Sequence, residues 1–376
     1  MRILFLDTYP IRRGAQVFVS ELSEELDVMG HQVKKVYLYK PEPNAVMVNL
    51  LENDVVLGGN PSHLFEKIPS FHPELLRQFM QEVREFNPDV ILFNGSRTLK
   101  YAAIAKLFLG TKIKWITRVI DNAEYWNTGF ITKLYYKYWV IPTFDASVGV
   151  SLASRDSMVR HYDFKKPTRV IHRAFNMDKF QNSLTKEEAR KSLHLTAQDE
   201  VVLFLGNITA QKRPDKFFEI VQELKKTRPN IKALVVGNGT DLPKYVDLMK
   251  QNDSYIFHMG YQKEVASYLV SSDLLLLPSD TEGLPGVVLE AGYFGVPTVA
   301  TDVGGIRECL IDNETGCIVP DKSIEGFVSK INYLLDNPSK RIEMGQKSKK
   351  IVLENFNLKT ITKSYIDFFQ IIKDNK

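Results

Sequence analysis

The sequence predicts an α/β protein made of two doubly wound, Rossmann-like halves. Three observations carry that prediction. Apolar, strand-like runs recur along the whole chain and many end at a glycine. The early ones alternate with segments whose apolar residues fall at helical spacing, an order that builds a parallel sheet with helices on its faces. A polar stretch without strand signal, residues 176–200, divides the series in two, and a length of 376 residues suits two domains.

The first series opens with MRILFLD, a buried strand, followed by the turn-like TYPIRRGAQ. Val17, Leu22 and Leu26 then recur at helical spacing until Gly30 stops the helix. VKKVYLY reads as the next strand, PDVILFNG (88–95) as another that ends at a glycine, then IKWITRVI (113–120) and DASVGVS (145–151). TRVIHRAF (168–175) completes the first half. The second series runs through VVLFLGN (201–207), a helix from Pro214, IKALVVGNG (231–239), YIFHMG (255–260), DLLLLPS (273–279), GVPTVATD (295–302) and GCIVP (316–320). The expected boundaries are 1–178 for the first domain and 179–356 for the second. An amphipathic final helix, 357–376, is expected to cross back to the first. No short-period repeat or low-complexity tract interrupts this order.

Apolar residues make up 44% and charged residues 25%, an ordinary balance for a chain with two buried cores. A net charge of +4 and a pI near 8.7 fall short of a dedicated nucleic-acid binder, while leaving anionic small molecules and anionic membrane surfaces as partners. Cys309 and Cys317 stand outside any CxxC pair and away from histidine clusters, so neither a disulfide framework nor a metal site is expected. The N-terminus turns polar too soon for a signal peptide, and no apolar run reaches the length of a membrane span. A cytoplasmic protein is expected, with the inner face of the membrane as a docking place.

The chemistry concentrates in EGLPGVVLEAGYFGVPTVATDVGG, residues 282–305. Glu282 lies in the loop after a strand that stops at Pro278. A helix is expected from about Gly286, with Glu290 in its second turn. A charge in apolar surroundings is costly unless it is paired or hydrogen-bonded. The free N–H groups of a helix start attract phosphate. Full helical spacing would put the two carboxylates about 12 Å apart, comparable to the distance from ribose to sugar in a nucleotide sugar. The plainer alternative makes Glu282 an electrostatic cap and Glu290 a residue of an exposed face.

The segment PSDTEGLPGVVLEAGYFGVPTVATDVGG resembles the signature of retaining glycosyltransferases of family 4, with its E-x7-E motif. Order, spacing and flanking residues agree over the C-terminal half, and more weakly over the N-terminal half. The resemblance implies a GT-B fold, in which two Rossmann-like domains face each other across a nucleotide-sugar cleft. It also implies retention of anomeric configuration, no metal requirement and no cofactor beyond the donor. A UDP- or GDP-linked sugar would be the donor, and a glycan or lipid-linked molecule the acceptor, in polysaccharide or glycoconjugate biosynthesis. By position, Glu290 would hold the ribose hydroxyls and Glu282 the donor sugar. Gly283, Leu284, Pro285, Gly286 and Val287 would supply backbone to sugar and diphosphate.

FLGNITAQKRPDKFFEIV (204–221) is similar to the family's phosphate-clamp turn. Lys212 matches its lysine, Asn207 replaces its arginine, and Arg213 is the nearest substitute cation. GNG (237–239) lacks the third glycine of a dinucleotide fingerprint, since Leu242 stands there. Gly239 is instead expected at a strand-end turn near the base, with Tyr261 as a second base contact. In the first half, Arg13, Gly14 and Ala15 align with the family's Gly-Gly-Ala loop, with arginine at the first glycine. Ile120 occupies the place where many members have a histidine, so no catalytic histidine is carried over. Arg118 and Asp121 remain as site candidates, Asp121 as a catalytic one. GFITKLYYKYWVI (129–141) alternates aromatics with Lys133 and Lys137. It reads either as a helix packed into its domain or as a face lying on anionic membrane. A non-catalytic partner subunit and a sugar phosphorylase or sucrose-synthase-like enzyme are the rival readings.

Overall fold

The computed structural model describes residues 1–59, 72–110, 112–126, 129–177 and 184–374. The chain divides into two compact units, Met1–Ala174 with Leu358–Lys376, and Phe175–Asn357. The junction expected at 178/179 lies outside the described residues.

Among the described residues of the first unit, seven strands form one parallel sheet in the order β3-β2-β1-β4-β5-β6-β7. They are β1 (Arg2–Asp7), β2 (Gln32–Tyr39), β3 (Val55–Gly59), β4 (Val90–Asn94), β5 (Lys114–Val119), β6 (Ala146–Gly149) and β7 (Thr168–Val170). Strand side chains alternate between the two faces. Leu4 and Leu6 of β1 therefore enter one core with Ile91 and Phe93, while Ile3 and Phe5 enter the other with Val90 and Leu92. Both faces are covered, as an all-parallel sheet requires. The run TRVIHRAF is shorter as a strand than expected, since only Thr168–Val170 pairs with β6.

The final helix, Leu358–Asp374, places Ile361, Tyr365, Phe368, Phe369 and Ile372 on one stripe. That stripe joins the core formed by Ile3 and Phe5, which explains why these C-terminal residues belong to the first unit.

The second unit repeats the plan. Among its described residues, β8 (Glu200–Leu205), β9 (Ile231–Val236), β10 (Ile256–Gly260), β11 (Leu274–Leu277), β12 (Thr298–Thr301) and β13 (Gly316–Val319) form a parallel sheet in the order β10-β9-β8-β11-β12-β13. The polar stretch 176–200 contains a helix that the strand search passed over, Lys186–Ser192. A capping box starts it: Thr185 accepts from the Glu188 backbone N–H, and Glu188 reaches back to the Thr185 N–H. Cys309 and Cys317 are buried and form no disulfide.

Each sheet reverses its winding once, between β1 and β4 in the first unit and between β8 and β11 in the second. The carboxyl ends of strands at such a switch point are where open α/β sheets bind ligands.

Candidate functional site

At the switch point of the second sheet, the loops after β8 and β11 meet. β11 is four buried leucines between β8 and β12, and Pro278 ends it. The next helix runs over Gly286–Tyr293 behind Pro285, with no side-chain cap and no acidic residue in its first turn. Its leading N–H groups are thus uncapped by side chains and carry the positive end of the helix dipole. After β8, Gly206 turns with φ +142°, and a single 3-10 turn, Ala210–Lys212, brings up the basic pair.

Two contacts lock these loops together. The Asp280 N–H donates to the Gln211 carbonyl at 2.9 Å. Lys212 Nζ lies 2.6 Å from Glu282 Oε1, with side-chain exposures of 25% and 7%. The pairing answers how a buried carboxylate is tolerated in this apolar run. Arg213 is the helix-capping residue before Pro214 and adopts φ +51°. Its guanidinium is bonded to Asp215 and, at 3.1 Å, to Asp280. The Asp215 carboxylate raises the arginine pKa still further above its usual value. Arg213 therefore acts as a brace between Pro214's helix and the β11 loop, with its charge already met by two carboxylates.

Behind Glu282 stands Gly304, with φ +55°. A Cβ there would lie 1.6 Å from the Glu282 carbonyl oxygen. Only glycine allows that backbone approach. Gly292 has a packing role as well, because its Cβ would sit 2.5 Å from Ser348 Oγ on the helix Pro338–Asn355. The small residues after Glu290 thus seat its helix. Glu290 itself is half-buried one turn beyond Gly286. Leu284 and Pro285 are buried, and Gly283, Gly286 and Val287 are half-buried around them. The carbonyl of Ser279 accepts from Thr301 Oγ1 at 2.5 Å, tying the start of this loop to the end of β12.

Gly239 turns out to be required by packing, since its Cβ would fall 2.2 Å from the Ile208 carbonyl oxygen. Asn207 is exposed on the same strand-end loop, and Tyr261 is exposed just after β10. Lys212, Arg213, Glu282 and the start of the Glu290 helix are therefore gathered by one switch point.

The remaining candidates lie in the first unit. Gly14 is the first residue of the helix Gly14–Val28, and a Cβ on it would meet Arg173 Nη1 at 3.0 Å. Asp121 follows β5, is exposed, and accepts from Trp126 Nε1 at 2.5 Å. Arg118 is corrected from a site candidate to a core residue. It is 2% exposed, stacks over Phe18 and donates to Asn94 Oδ1 at 2.9 Å and to the Tyr365 hydroxyl. The histidine position taken by Ile120 is packed against Gly95, whose Cβ would lie 3.1 Å from Ile120 Cδ1.

Sequence reasoning missed the group at the first switch point. Asp7 ends β1 and is buried. It accepts from Gln16 Nε2 at 2.8 Å, from the Thr8 N–H at 2.6 Å and from Asn94 Nδ2. Burial pushes its carboxyl up to about 6, against the opposing pull of those hydrogen bonds. The signal was visible as an aspartate closing an otherwise apolar strand, ILFLD.

Two family models match the chain: Glycosyltransferase Family 4 over residues 12–179 and Glycosyl transferases group 1 over residues 185–351. Among curated proteins, N-acetyl-alpha-D-glucosaminyl L-malate synthase of Bacillus anthracis is 25% identical, over 98% of this chain and 97% of that one. A D-inositol 3-phosphate glycosyltransferase of Streptomyces avermitilis is 27% identical over 55% of this chain and 48% of its own. Among solved structures, Anabaena Alr3699/HepE in complex with UDP and glucose has a TM-score of 0.81 at 17% identity, covering 99% of this chain and 100% of that one. The sucrose-phosphate synthase of Thermosynechococcus elongatus has a TM-score of 0.83 at 18% identity, covering 99% of each. At these identities the solved structures establish the fold alone.

Proposed function

We propose, from the premise that this chain is a family 4-like glycosyltransferase of GT-B fold, that it moves a sugar from a nucleotide-diphosphate sugar to a hydroxyl of a glycan or lipid-linked acceptor, with retention of configuration. The observation that carries this reading is the Lys212–Glu282 pair at the switch point of the second sheet, beside the uncapped start of the Gly286–Tyr293 helix.

The chemistry follows from those groups. As the bond from the anomeric carbon to the diphosphate breaks, negative charge gathers on the leaving phosphate. The Lys212 ammonium and the N–H groups at the helix start would meet that charge where it develops. Glu282 would accept from hydroxyls of the donor sugar and Glu290 from the ribose. The acceptor hydroxyl would attack the face that the diphosphate leaves, and its proton would pass to the departing phosphate. Arg213 would act through Asp280, holding the β11 loop in register. Gly14 and Asp121, beyond β1 and β5, stand where a first-unit ligand would be met. No metal step is needed in this scheme.

Because the Anabaena protein was solved with UDP and with UDP-glucose, uridine donors are the first to test. Isothermal titration with UDP-sugars and GDP-sugars should find one donor class that binds. Nucleotide release should then be accelerated by the true acceptor and be unaffected by EDTA. Glu290→Ala should weaken donor binding, and Glu282→Ala should mainly slow transfer. No binding of any nucleotide or nucleotide sugar would defeat the reading.

A further inference from the structure

We propose that Asp7 is a positioning residue for the ligand loop of the first unit. One of its carboxylate oxygens holds both ends of the segment 8–16, which carries Gly14, and Arg118 supports the other oxygen from inside the core. The inference rests on the transferase reading above, in which Gly14 stands where a first-unit ligand would be met.

Asp7 Oδ1 accepts from the Thr8 N–H at 2.6 Å, where the segment leaves β1. The same oxygen accepts from Gln16 Nε2 at 2.8 Å, where the segment has become a helix. Gln16 is buried and is the third residue of that helix, Gly14–Val28. Arg13 precedes the helix without capping it through its side chain, and Gly14 is exposed. The middle of the segment has a separate support. The Arg12 N–H donates to the Val46 carbonyl at 2.8 Å, and the Val48 N–H to the Pro10 carbonyl at 2.9 Å. What Asp7 adds is the rotation and height of the helix start relative to β1, because a side chain fixed in the first turn orients the whole rod. Misplacement of a ligand-bearing group by about 1 Å is enough to cost roughly 100-fold in rate.

The second oxygen leads into the core. Asp7 Oδ2 accepts from Asn94 Nδ2 at the end of β4, and Asn94 Oδ1 accepts from Arg118 Nη1 at 2.9 Å. Arg118 Nε donates to the Tyr365 hydroxyl at 3.2 Å, and its guanidinium lies 4.4 Å from the centre of the Phe18 ring. A guanidinium only donates, so Asn94 must turn its oxygen to Arg118 and its NH2 to Asp7. Thr8, Gln16 and Asn94 thus all donate to Asp7, which suits a carboxylate without a proton. The Asn94 amide joins this buried anion to a buried cation, and each offsets part of the other's cost of burial. An amide at position 7 breaks the pattern. Whichever way it turns, its NH2 faces either Asn94 Nδ2 or the Thr8 and Gln16 donors, and turning Asn94 over sets its NH2 against Arg118.

The test compares Asp7→Asn and Gln16→Ala with the parent full-length chain at pH 7.5. Kinetics use whichever UDP- or GDP-sugar the parent hydrolyses fastest. Both variants should lose about 10- to 100-fold in kcat, while KM for the nucleotide sugar stays within about threefold. Amide hydrogen exchange over residues 8–16 should speed up at least about fivefold in both, with peptides of the second unit unchanged. The thermal midpoint of Asp7→Asn should hold, because the amide spares the hydration cost of a buried carboxylate. Parent-like kcat in both variants, or unchanged exchange over 8–16, would overturn the proposal. So would a kcat that falls only in step with the thermal midpoint, since the bonds would then serve stability alone. Absence of turnover by the parent on every sugar tried would defeat the transferase reading itself, and this inference with it.

Discussion

Lys212 Nζ and Glu282 Oε1, 70 residues apart in sequence, form a 2.6 Å ion pair across the two loops of the second switch point. The pair gives each side chain its orientation before any ligand arrives. Removing one partner strands the other, and Glu282 is the more buried of the two. Lys212→Met should therefore cost roughly 1–3 kcal/mol of stability, the range for a buried charged acceptor left unpaired. Glu282→Gln should cost less, since a partly exposed lysine can reach water. Urea unfolding of both single variants and the double variant should return a coupling energy above about 0.5 kcal/mol. Additive losses would mean that the pair contributes nothing beyond its members. In the transfer reaction Lys212→Met should lower kcat by about two to three orders of magnitude, as loss of a preorganised charge at the leaving group does.

Gly304 bears on the same carboxylate from behind. Its φ of +55° disfavours a side chain, and its Cβ would drive into the Glu282 carbonyl oxygen. Gly304→Ala should cost on the order of 2 kcal/mol or more, from left-handed strain together with the backbone clash. The loop can escape only by moving Glu282. A larger fall in kcat than rise in donor KM is therefore expected, with nucleotide binding alone nearly kept. Transfer kinetics equal to the parent protein would show that the loop does not depend on this contact.

The strands of both sheets were legible because each is an apolar run, many closed by a glycine. β3 escaped because Val55–Gly59 is a short edge strand ending in two glycines, a pattern that also reads as a turn. The helix Lys186–Ser192 escaped for a different reason. Its T-K-E-E start was in plain view, but a polar surface helix has little apolar periodicity to announce it. Thr185→Ala should lower stability by about 1 kcal/mol through loss of the cap, measurable by urea unfolding; no change would mean that the helix is held by packing alone.

In the site, the two glutamates and Lys212 could be named from spacing and family likeness, but their partners could not. The bond from Arg213 to Asp280 depends on a left-handed backbone at Arg213, and the seat of Glu282 on Gly304 joins residues 22 apart. Arg118 misled for a related reason. An arginine at the end of a strand is ordinarily exposed, and only the C-terminal helix, arriving 247 residues later with Tyr365, shows that this one is buried.

Asp7 supplies the last prediction, in which the sign decides everything. Burial raises its folded-state pKa to about 6, above the ordinary aspartate value of 3.8. A carboxyl raised in this way contributes stability that is fully present below about pH 4, and that contribution is lost as pH rises through about 6. The cause is burial of the carboxylate, whose hydrogen bonds from Gln16, Thr8 and Asn94 offset only part of the lost hydration. Asp7→Asn removes the titration, so the stability difference between parent and variant should change with pH. Between about pH 4 and pH 7 the parent should lose on the order of 3 kcal/mol relative to Asp7→Asn. Urea unfolding in a buffer series across that window reads the slope directly. Parallel curves would mean that Asp7 keeps its charge throughout, with the donors around it compensating its burial in full.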